Sequence, residues 1–60
     1  MLWVDAMQVR YMSGLGYMPL SSAWFLNDDT GHSVNGYHIP AADLGEVMSV
    51  LADAGIYFHD

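Results

Sequence analysis

Three histidines and seven carboxylates are the side chains here with the chemistry to hold a metal or move a proton. His32, His38 and His59 stand in a chain that also offers Asp28, Asp29 and Asp60, and imidazole with carboxylate is a donor set for zinc or nickel. The spacing does not gather them. No H-x-x-x-H helix pattern exists. His32 and His38 fall six apart in a β-prone run and share a face only if that strand alternates without interruption. Three ordinary polar histidines explain the pattern, so no metal ligand is assigned. Asn27-Asp28-Asp29-Thr30-Gly31 is a poor calcium loop: counted from Asn27, glycine comes fifth instead of sixth, and the twelfth position is His38 instead of glutamate. Gly14-Leu15-Gly16 is a poor nucleotide loop, with Pro19 where a third glycine belongs and no lysine to meet a phosphate. No G-x-S-x-G elbow is present, and a chain this short has little material for a pocket of the usual ligand size. The expectation is a protein that is not an enzyme and needs no cofactor.

Charge narrows the partners. Arg10 is the only fixed cation, set against Asp5, Asp28, Asp29, Asp43, Glu46, Asp53 and Asp60, for a formal net charge of -6. Such a surface repels phosphate backbones and anionic membranes and attracts basic proteins. Direct nucleic-acid binding lacks its basic patch, and a membrane-surface helix lacks its Lys/Arg face. The carboxylates have an ordinary use, which is to keep a hydrophobic small domain soluble. They also have a sharper one: Asp28, Asp29, Asp43, Glu46, Asp53 and Asp60 could occupy a basic groove built for nucleic acid.

The elements that must position these residues form one small domain, 1–60. A fold of this size buries only ~60% of the surface its unfolded chain exposes. Cysteine is absent, which removes disulfides and thiolate zinc as staples and fits a cytosolic protein. A hydrophobic fraction of 53%, with Trp3, Trp24, Phe25, Phe58 and four tyrosines, must supply the core instead. Five methionines add adaptable apolar surface, and any excess over the core suits a homodimer or a docking face. The start of the chain has no positive n-region followed by an apolar run, and no apolar stretch approaches the ~20 residues of a membrane span. A soluble cytoplasmic protein is expected.

The clearest element runs from Pro40 to Ala54. Leu44, Val47, Met48, Leu51 and Ala54 repeat as one helix face, and Gly55 follows where a left-handed cap belongs. At ~100° per residue, Asp43, Glu46 and Asp53 form an acidic stripe on the other side, interrupted by Val50. Ile56-Tyr57-Phe58-His59 is a short β-prone run. Ser22 to Leu26 reads as a strand, Asn27 to Gly31 as a polar turn, and His32-Ser33-Val34 with Tyr37-His38-Ile39 as the return. Asn35-Gly36 between them is expected as a second tight turn or a bulge. The N-terminal third fits a helix through Leu2, Ala6 and Val9 that ends before Gly14, with Asp5 early and Arg10 late to suit the dipole. Alternation of Met7, Val9 and Tyr11 fits a strand as well, and helix is the reading adopted. The sum is an α+β fold: a single layer of two to four mostly antiparallel strands packed by one or two helices.

In size, acidity, absence of cysteine and absence of catalytic motifs, the whole chain resembles the small inhibitor proteins that phages and mobile elements carry. Anti-CRISPR proteins are the nearest class, and some of them imitate DNA. The resemblance implies a non-enzymatic protein that blocks a nucleic-acid-handling complex by covering a basic site. The alternatives are a small structural subunit or homodimer with a Met and aromatic interface, and a histidine-based metal-binding module.

Overall fold

Leu2 and Val4 alternate with Trp3 and Asp5, and that period of two decides the N-terminal structure. In the computed structural model, which describes residues 1–27 and 30–60 and the side chains outside 23–30 and 32, Leu2–Asp5 is a strand, β1. Leu2 and Val4 are fully buried, with Trp3 and Asp5 only partly so. The helix expected to begin at Leu2 is therefore corrected: strands pair with β1 on both sides, and tertiary pairing overrides the weak helical pattern. Helical structure begins only after Asp5, whose carboxylate accepts from the Met7 N–H at 3.0 Å and caps a 3-10 turn at Ala6–Gln8. That turn leads into α1, Val9–Leu15. The helix runs through Gly14 instead of ending before it, and Arg10 falls in its first turn, where the dipole gives a cation no support.

The remaining elements are β2 (Ser21–Asn27), β3 (Thr30–Tyr37), α2 (Ala41–Asp53) and β4 (Phe58–His59). The sheet order is β2-β3-β1-β4, with every pairing antiparallel. The chain is thus an α+β fold of two helices and a four-stranded antiparallel sheet. β1 reaches β2 through α1 and skips the β3 position. β3 reaches β4 through α2 and skips β1. These are two interlocked split βαβ units, the ferredoxin-like connectivity. It hosts many unrelated activities and so specifies none.

Two corrections concern β3. Asn35-Gly36 is neither turn nor bulge: Gly36 pairs Trp3 on one side and Ser21 on the other, in a register that never slips. His38 lies just past the strand, so His32 and His38 do not share it. The polar turn tip at Asp28 and Asp29, and the side chain of His32, lie outside the described residues.

Both helices close in the same way. Gly16 and Gly55 take φ values of 98° and 71°, which an L side chain adopts at a cost. In α1 the Gly16 N–H donates to Ser13 and the Tyr17 N–H to Met12; in α2 the Gly55 N–H donates to Ala52 and the Ile56 N–H to Leu51. This is the Schellman pattern, and it brings the residue after each glycine back over the last turn. Met12 and Leu51, the residues turned over, are fully buried, and Tyr17 and Ile56 pack against the same core. Ala54, expected on the buried face of α2, is exposed because it stands at this terminus.

The core joins Leu2, Val4, Tyr37, Ile39, Met12, Val47 and Leu51, so both helices cover the face of the sheet that carries Leu2 and Val4. Within it the Tyr37 hydroxyl is buried with no hydrogen-bond partner among the described residues. An unsatisfied buried hydroxyl costs about 1–3 kcal/mol, while the ring is needed for packing. Tyr37→Phe keeps the ring and removes the orphan. It is expected to raise the melting temperature by several degrees, since about 1 kcal/mol moves a domain of this size by ~4–8 °C. A lower melting temperature in thermal denaturation would show that the hydroxyl has a partner.

Candidate functional site

Among the described acidic residues, three line up along one helix. Asp43 and Glu46 sit on successive turns at the start of α2, both exposed. Asp53 follows on the same side, about 15 Å along the axis from Asp43 at 1.5 Å per residue. It too is exposed. None of the three makes an ion pair among the described residues. Asp60 is elsewhere: it lines a hollow of about 240 Å³ with Met1, Leu2, His38, Ile39 and Leu44. Asp28 and Asp29 lie outside the described residues. The stripe along α2 is the part of the expected acidic surface that the described residues bring together.

Beside that stripe is a groove of about 230 Å³ lined by Leu15, Tyr17, Asp43, Glu46, Val47 and Val50. Its construction follows from the two helix ends. The Pro40 carbonyl accepts from the Asp43 N–H at 2.8 Å and starts α2, which places Asp43 in the first turn. There a carboxylate also favours the helix dipole by ~0.3–1 kcal/mol. The Gly16 cap folds Tyr17 back against the core, beside Leu15, which stays 40% exposed. Val47 is nearly buried and Val50 half-buried, so the apolar interruption of the stripe becomes one wall of the groove.

The sequence reading found Asp43, Glu46 and Val50 but missed Leu15 and Tyr17. The available signal was Gly16, weighed as part of a poor nucleotide loop and not as a cap that aims its neighbour at a second helix. No group of three or more metal-ligating side chains exists among the described residues, and His38 and His59 are both exposed. No helix among the described residues is long and apolar enough to cross a membrane.

A second kind of surface is apolar. Met7 is 87% exposed, Met18 79% and Leu20 64%. They flank α1 and lead into β2, where the Leu20 N–H donates to the Gly36 carbonyl at 2.8 Å. Comparison with protein-family models, with curated proteins and with solved structures finds no match to this chain.

Proposed function

We propose that this chain is a non-enzymatic, acidic protein-binding module that docks on a basic surface of its target, of the kind that otherwise receives nucleic acid. The observation that carries the reading is the stripe of Asp43, Glu46 and Asp53 on α2, which has no ion-pair partner among the described residues, in a chain with one fixed cation and net charge -6. Carboxylates that serve only solubility need no alignment; aligned and unpaired ones present a directional field that speeds encounter with a basic groove. An inhibitor that covers such a groove, in the manner of those anti-CRISPR proteins that imitate DNA, is the biological role this favours. Contact through α2 also leaves the core undisturbed.

The test begins with partner capture from a bacterial lysate and then measures association of the purified pair. Glu46→Lys with Asp53→Lys is the informative variant, because Asp43 also supports the start of the helix. It is expected to slow association about tenfold or more with an unchanged circular dichroism spectrum. The parent should bind more slowly as the Debye length falls from ~30 Å at 0.01 M salt to ~8 Å at 0.15 M. Association indifferent to both changes would remove the acidic reading.

A second reading rests on Met7, Met18 and Leu20: an apolar interface with another subunit or a second copy. Its signature is self-association that persists at high salt in sedimentation equilibrium.

A further inference from the structure

We propose, building on the acidic-module reading, that the groove between the end of α1 and the start of α2 receives a single arginine side chain presented by the basic partner. Its volume, about 230 Å³, is below the ~300–1,000 Å³ of pockets that enclose whole small molecules. One long side chain suits it. Leu15, Val47 and Val50 offer apolar wall to a methylene stem, and Asp43 and Glu46 offer charge to its head. Side chains three apart on a helix have Cβ atoms about 5–6 Å apart, within the reach of one guanidinium fork. Tyr17 adds an aromatic ring to the lining. A planar guanidinium stacks on such a ring and donates to two carboxylates at once; a lysine ammonium is a more strongly hydrated point charge without the fork.

Charge selects the source. The chain holds no lysine and one arginine, Arg10, which makes no ion pair with Asp43 or Glu46 among the described residues. A second copy would bring six further negative charges net. The groove therefore favours an unlike, basic partner over its own kind.

The experiment is a titration of the full chain, followed by amide NMR shifts at low salt, with a capped glycine–arginine–glycine peptide and its lysine and citrulline counterparts. Expected are saturable shifts concentrated at Leu15, Tyr17, Asp43, Glu46, Val47 and Val50 with arginine, weaker ones with lysine, and none with the uncharged citrulline. Asp43→Asn with Glu46→Gln should weaken the arginine response about tenfold or more, and Asp53→Asn, outside the groove, should not. Lysine acting as strongly as arginine overturns the inference. So do arginine shifts spread evenly over Asp53 and Asp60, which would leave the acidic surface standing without the groove. No response to either charged peptide would sink both. A groove whose resonances in the free protein change with concentration, and lose that dependence in Arg10→Gln, is filled by a second copy, and the inference fails.

Discussion

Leu51→Ala is expected to lower the melting temperature by about 10 °C or more. Leu51 is fully buried in the cluster that joins both helices to β1, and its carbonyl accepts the Ile56 N–H that closes α2. The change removes a buried isobutyl group and leaves a cavity, at a cost of about 2–5 kcal/mol. Helix propensity does not contribute to the loss, because alanine is the better helix former. Native stability is about 5–15 kcal/mol for typical domains, and a 60-residue chain without disulfides belongs near the low end. Ser49→Ala, on the exposed side of the same helix, is the control and should stay within about 0.5 kcal/mol of the parent. Equal melting of Leu51→Ala and the parent would mean that the face of α2 is misassigned.

That face was the most legible part of the sequence. From Leu44 to Leu51 the apolar spacing, Pro40 before it and Gly55 after it all indicate one helix, and local preference agrees with tertiary packing. β2 was legible for a similar reason, as a β-prone run followed by turn formers. The N-terminus was not. Four residues of alternation at Leu2–Asp5 are too few to outweigh a helical pattern that carries on through Val9, and what makes them a strand is pairing with β3 and β4, remote in sequence. Gly36 misled for the opposite reason. Asn-Gly is a turn signal when conformation decides, but here space decides.

The candidate site was half legible. The acidic side of α2 follows from helix periodicity alone. Its apolar neighbours, Leu15 and Tyr17, arrive from α1 through a glycine cap and a crossover that the local pattern does not reveal. The two halves of the chain share this device. Each runs strand, helix, left-handed glycine, apolar residue, strand. Ile56, in the second half, occupies the place of Tyr17 and packs into the core. In the first half Leu15 remains 40% exposed, and it is there that the groove opens.

Gly36→Ala tests the claim about space, and its expected sign is opposite to the one local preference gives. Glycine in a strand interior costs about 0.5–1 kcal/mol relative to alanine, so on conformational grounds the substitution should stabilise. A Cβ at Gly36 would instead run into the Met1 sulfur, would come within 2.8 Å of the Trp3 ring and would sit 2.9 Å from the Ser21 hydroxyl. Met1 is 59% exposed and can move aside. The Ser21 hydroxyl is exposed and can turn away, but the bulky Trp3 ring is partly buried and its residue lies directly across from Gly36 in β1, so it has less room to yield. Overpacking of this kind costs about 1–3 kcal/mol, more than the conformational gain, so a net loss is expected. Thermal melting of Gly36→Ala, of Trp3→Leu and of the double variant separates the two terms. With space as the cause, Gly36→Ala lowers the melting temperature in the parent and is neutral or stabilising once the Trp3 ring is gone, because contacting residues couple. An alanine that stabilises the parent as well would show that the Trp3 ring does not press on β3, and that glycine stands there without a steric reason.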